Sequence, residues 1–147
     1  MFDDLSEYKK IPPLIRECWN RLNCVFMERV KKVGLTPDQY SVLRWTFSSY
    51  DKSLTQSELA VLMATDCNNI SSLVRRMEAM GLIERNVSFG DHRKKNILLT
   101  KTGLLKFNKA KVIANRLEEE LLLEIPPIER DAFLKILRKL SRSILDG

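Results

Sequence analysis

The chain has 147 residues, 44% of them hydrophobic and 30% charged, with 25 Lys and Arg against 19 Asp and Glu. That length suits one domain, or one domain with an oligomerisation extension, and the hydrophobic content argues against global disorder. The longest apolar run, Leu59 to Ala64, falls far short of the ~20 residues that span a bilayer, and the acidic start (Asp3, Asp4, Glu7) is unlike a signal peptide, so a cytoplasmic protein with no membrane partner is expected.

Most of the chain has helical periodicity. Ile15, Cys18, Trp19, Leu22, Val25, Phe26, Val30 and Val33 recur at three- and four-residue steps between Pro12-Pro13 and Gly34. Leu14 widens this stripe enough for two partners. Thr36-Pro37 reads as an N-cap followed by Pro at the first helical position, opening a second helix with Tyr40, Leu43, Phe47 and Tyr50 on one face. Asp51-Lys52-Ser53 reads as a loop. Thr55-Gln56-Ser57-Glu58 is a capping box that starts a short helix through about Ala64, burying Leu59, Leu62 and Met63. Asp66 then caps a fourth helix, which Gly81 ends. Two helices joined this tightly turn sharply, as in a helix-turn-helix.

Residues 82–86 and 96–100 are strand-like, and the polar stretch from Val87 to Lys95 is too long for a two-residue turn. They predict a hairpin with an extended basic tip, the wing of a winged helix. A further helix from about Lys101 carries Leu105, Ile113, Leu117 and Leu121, and Pro126-Pro127 breaks it. Phe133, Ile136, Leu137, Leu140 and Ile144 mark the last helix. The expected fold is mainly α with a small β-hairpin wing: a winged helix-turn-helix with N- and C-terminal dimerisation helices. Residues 36–103 form the winged-helix core of a single domain spanning 1–147, and 1–35 and 104–147 form the helical dimerisation region. The terminal helices carry more apolar surface than a small winged helix can cover. A homodimer is expected to bury it, a larger monomeric core being the alternative.

Charge is concentrated where the wing is expected. From Cys67 to Lys106 eight basic residues face three acidic ones, so five of the six net positive charges lie in that window. A concentrated basic field suits a polyanion, because neutralising phosphates releases counterions. On the fourth helix Ile70, Leu73, Val74 and Met77 share one face. Opposite them lie Asn68, Ser72 and Arg75, flanked by Asn69, Ser71 and Arg76. Solvated helix faces favour Lys, Glu and Ala, whereas Asn and Arg can pair bidentately with adenine and guanine in the major groove of double-stranded DNA. Arg93, Lys94 and Lys95 are expected to reach the minor groove and phosphates, with Asp91 orienting Arg93. The rival reading is a winged-helix module that docks protein and does not read DNA.

No enzyme is indicated: metal-hydrolase, nucleotide-binding and serine-hydrolase motifs are missing from the sequence. Three cysteines without a C-x-x-C pair, and one histidine (His92), predict no disulfide framework, no metal site and no cofactor.

The stretch from Leu54 to Gly103, with its LTQSELA opening, ISSLVRRMEAMGLIER run, Asp91-x-Arg93 wing motif and LTKTG close, closely resembles the DNA-binding core of the MarR family of bacterial transcriptional regulators. The resemblance implies an obligate homodimer with interlocked terminal helices on a pseudo-palindromic operator, with repression the commonest outcome. Asn68, Asn69, Ser71, Ser72, Arg75 and Arg76 fall on the helix that enters the major groove in that family, and Arg93 and Asp91 match its wing-tip pair. His92 stands where many members carry arginine, and Cys67 where proline is frequent. Many members are released from DNA by small aromatic effectors, for which Trp19, Phe26, Tyr40 and Trp45 are the candidate lining. One branch senses peroxide through a first-helix cysteine, which brings in Cys18 and Cys24. Cys18, on the apolar stripe, reads as a buried small hydrophobe, and Cys24 as more exposed with Arg21 one turn away.

Overall fold

The computed structural model describes residues 10–88 and 91–145, with the side chains of 87–95 and 145 outside that description. Helix α1 (Ile11–Val30) is followed by a 3-10 turn (Lys31–Val33) that ends at Gly34 with φ +81°. The helix starts before Pro12-Pro13, not after them, because first-turn N–H groups have no intrahelical acceptor and proline costs nothing there. Helix α2 (Pro37–Ser48) opens on a reciprocal cap: the Gln39 N–H donates to Thr36 Oγ1 at 3.2 Å, and the Thr36 N–H to Gln39 Oε1 at 3.0 Å. Tyr50, expected on the inner face of this helix, lies beyond its end and is fully exposed.

Strand β1 (Leu54–Thr55) runs directly into α3 (Gln56–Leu62), whose capping box is as expected, with the Glu58 N–H on Thr55 Oγ1 at 3.2 Å. Leu59 is buried, but Leu62 is 39% exposed because the helix stops there and the chain turns away. The turn places Ala64 at φ +53° and closes with the Thr65 N–H on Ala60 O at 2.9 Å. Helix α4 (Cys67–Ala79) follows, with Gly81 at φ +74° beyond its end, the left-handed conformation that glycine adopts without strain.

The wing is longer than its sequence suggests. Strands β2 (Ile83–Ser88) and β3 (Asp91–Leu99) pair antiparallel, with a register irregularity at Val87/Ser88. Much of the stretch read as a loop is therefore strand, paired through its backbone despite its polar sequence. Strand β1 joins the other edge of β3, Leu54 opposite Ile97, giving the order β1-β3-β2.

Helix α5 (Lys101–Leu123) begins where Thr100 Oγ1 donates to Gly81 O at 2.6 Å and accepts from the Gly103 N–H at 3.0 Å. Gly103 lies so close to Leu82 that an added Cβ would fall on the Leu82 carbonyl, which explains the glycine of the LTKTG close. Helix α6 (Pro127–Leu145) ends the described chain.

The chain forms two compact units, one running to Lys111 and the other starting at Val112. In the first, Val30, Leu35, Val42, Leu43, Leu59, Ile70, Val74, Met77, Leu82, Ile83, Ile97, Phe107 and Ala110 are buried. Phe107 and Ala110, not Leu105, are the inward residues of early α5, and Leu105 is exposed. In the second unit, Leu117 is buried, and Arg130 Nε donates to Ile125 O at 2.9 Å across the Pro126-Pro127 break. Among the described residues no helix is long and apolar enough to cross a membrane.

Candidate nucleic-acid interface

Helix α4 is built as a two-faced element. Ile70, Val74 and Met77 are wholly buried, which fixes the rotation of the helix and turns Asn68, Ser72, Arg75 and Arg76 outward. Ser71 is half-buried on the flank. The side chains of Asn68, Ser71, Ser72, Arg75 and Arg76 make no hydrogen bond or ion pair among the described residues, so their polar groups are unspent. Ser72 and Arg76, with Asn69, also line a cleft of about 340 Å³ against Asp38 of α2 and Met63 and Thr65 of the turn.

Asn69 behaves differently from its neighbours. The Asp66 carboxylate accepts its backbone N–H at 2.8 Å and its side-chain Nδ2 at 3.3 Å, and Nδ2 also donates to Thr65 Oγ1 at 3.0 Å. Bidentate adenine contact needs that amide N–H₂. Here it is committed to the helix start, so in this structure Asn69 buttresses the cap. The sequence signal was present, since Thr-Asp-x-x-Asn is a capping pattern as much as a polar reading face.

The far end of α4 carries a pair that the sequence reading passed over. Arg85 of β2 donates from Nε to Glu78 Oε2 at 3.1 Å and from Nη2 to Glu78 Oε1 at 2.9 Å. The Glu78 hydrogen bonds hold the Arg85 guanidinium's pKa above its ordinary value, against a smaller opposing effect of burial. Asp91, Arg93, Lys94 and Lys95 all lie on β3, with Ser88 opposite Asp91 and Val87 opposite Lys95. Their side chains, like that of His92, fall outside the described residues.

The expected effector lining comes together only in part. Phe26 and Tyr40 meet edge to face at 5.2 Å, and Tyr40 stacks on Phe107 at 5.9 Å, which in turn meets Phe47 at 5.0 Å. This is a continuous aromatic row through the first unit, and Phe107 is the member that sequence reasoning missed. The four-residue step from Gly103 to Phe107, continued by Ala110, was the available signal. Trp19 is 59% exposed on α1, and Trp45 lies under the Arg44 guanidinium at 4.3 Å; neither joins the row.

Cys18, Cys24 and Cys67 are all free and exposed. Cys18 is exposed in the single chain, on the stripe it shares with Trp19, so its expected burial is not met by the described residues of this protomer. Arg21, the expected neighbour of Cys24, pairs with Glu17 at 2.9 Å. Among the described residues no group of three or more His, Cys, Asp or Glu is placed to hold a metal ion.

A helix-turn-helix followed by an antiparallel wing, with a short third strand on the wing's inner edge, defines a winged-helix protein. Residues 33–94 match the model of the MarR family. A putative transcriptional regulatory protein for the hcr operon of Thauera aromatica is 28% identical over 109 residues, 74% of this chain and 64% of that protein. The match thus spans just under two thirds of that relative's length. The S. aureus MepR–DNA complex superposes with a TM-score of 0.85 at 24% identity, covering 91% of this chain and 98% of that one. The repressor CouR, bound to a 23-mer DNA duplex, gives 0.83 at 26% identity, covering 96% and 99%. Through its winged-helix core the chain is similar to the MarR family of transcriptional regulators, and it shares the fold of these DNA-bound proteins along most of its length.

Proposed function

We propose that the chain is a cytoplasmic, homodimeric repressor, a binding protein and not an enzyme, that reads a pseudo-palindromic operator with α4 of each protomer in successive major grooves. The observation that carries this is the division of α4: a wholly buried apolar face, and opposite it Asn68, Ser72, Arg75 and Arg76 with unspent hydrogen-bonding groups. Ser71 flanks that face, and Asn69 acts through the helix cap. Arg93, Lys94 and Lys95 supply minor-groove and phosphate contacts from the wing, and Asp91 directs Arg93. That two proteins of this fold, MepR and CouR, are bound to DNA supports a DNA-binding role for the chain.

Dimerisation follows from uncovered apolar surface. On α1, Ile11, Ile15 and Trp19 are exposed, and on α6 Ile128, Phe133, Ile136, Leu137 and Ile144 are exposed. Monomers rarely leave such patches open. For release by a small aromatic ligand, Phe26 and Tyr40, in edge-to-face contact, are the candidate neighbours of that ligand.

Selection from a random DNA library tests the reading as a whole. It should enrich two inverted half-sites about one helical turn apart. Binding should weaken steeply with salt, and Lys94→Ala with Lys95→Ala should lower the salt slope by roughly one unit per lost contact on every sequence. Arg75→Ala should instead cost about 1–3 kcal/mol of discrimination at one base pair. No enrichment, or affinity indifferent to salt, overturns the proposal.

A further inference from the structure

We infer that the Glu78–Arg85 pair is a positioning element for DNA recognition, a strut that sets the direction of the wing relative to the recognition helix so that both engage one duplex. The inference rests on the DNA reading proposed above and adds to it two residues that face each other.

Glu78 is hard to explain on local grounds. It lies in the last turn of α4, where the helix dipole disfavours an anion. It also shares the helix with Arg75 and Arg76, where a carboxylate would repel phosphate. What accounts for it is Arg85, seven residues on and across the Gly81 turn. The two bonds, 2.9 and 3.1 Å, run in parallel from one guanidinium edge to both carboxylate oxygens. Such a fork fixes orientation as well as separation, which a lysine's single ammonium would not. Arg85 also sits opposite the buried Ile97 of β3, so its backbone is anchored in the body of the sheet.

The same helix end is held from the other side. Gln39 of α2, whose Oε1 accepts from the Thr36 N–H, donates from Nε2 to Met80 Sδ at 3.6 Å. The end of α4 is therefore fastened to α2 by Gln39 and to the wing by Arg85, with the glycine turn between. Arg85 is 24% exposed on its side chain and Glu78 40%, so Arg85 spends its charge within the protein.

The test separates positioning from simple charge. Glu78→Gln removes an anion from the DNA-facing half, so electrostatics alone would tighten binding. A strut predicts the opposite: about three- to fivefold weaker binding to a random-sequence duplex of about 30 bp at low salt, the size of effect that a part-exposed ion pair supports. The reversed double variant, Glu78→Arg with Arg85→Glu, should recover most of what Arg85→Glu alone loses. By hydrogen exchange, β2 amides should open faster in Glu78→Gln, while Ile70 and Val74 of α4 keep their protection. Equal or tighter binding by Glu78→Gln, no recovery in the reversed pair, or unchanged β2 exchange would each overturn the strut while the DNA reading stands. Failure of the wild-type chain to bind the duplex would instead overturn the DNA reading, and the strut's role in recognition with it.

Discussion

The winged-helix core and the terminal helices solve opposite problems. In the core, Leu43, Leu59, Ile70, Val74, Met77 and Ile97 are wholly buried by neighbours from the same chain. On α6, side chains of the same kinds (Ile128, Phe133, Ile136, Leu137, Ile144) stand open, Ile128 at 92% exposure. Composition does not separate these regions; burial within the single chain does. The core is thus self-sufficient, whereas the open apolar face of α6 is the surface that the homodimer proposed above would cover. Stability of the first region should be independent of protein concentration, and that of the second should follow mass action.

The largest effect is expected where the core admits no atom at all. Gly103→Val places its branch on the Leu82 carbonyl, and should cost more than about 3 kcal/mol or prevent folding, measured by urea unfolding or soluble yield. Next comes the pair of substitutions that sets the two regions against each other. Leu43→Ala should lower stability by about 2–5 kcal/mol at any protein concentration. Ile136→Asp should leave the core's far-ultraviolet dichroism unchanged but shift the chain to monomer in sedimentation. An Ile136→Asp protein that remains dimeric would remove the distinction between the regions. The smallest effect sharpens the core side. Thr46 is fully buried and its hydroxyl has no hydrogen-bond partner, so Thr46→Val should raise stability by about 1 kcal/mol, read as a higher urea midpoint.

Sequence reasoning succeeded where the signal is local. Thr36, Thr55 and Asp66 announce helix starts because a cap needs only a side chain and the next three residues. Gly81 announces a stop for the same reason. It failed where partners are distant. Strand β1 hides inside a capping box, and only its pairing with β3 makes Leu54–Thr55 a strand. The wing's outer half reads as a loop because its pairing runs through the backbone and asks nothing of side-chain polarity. In early α5, Leu104, Leu105 and Phe107 are all apolar, so composition does not say which faces inward; the close approach at Gly103 selects Phe107. The candidate site was legible as a face but not residue by residue: Asn68 and Asn69 are identical in type, and bonds to Thr65 and the Asp66 carboxylate distinguish them.

That capture of Asn69 has an evolutionary corollary. On the DNA reading proposed above, residues 68, 72, 75 and 76, whose side chains bond to nothing else among the described residues, are the places where such a protein can drift toward new operators. Residue 69 is not free in that way, since altering it removes the side-chain bonds to Thr65 and Asp66 and leaves the cap on the backbone N–H alone. Duplicated copies of the gene should therefore diverge in target preference at those four places while keeping the amide at 69.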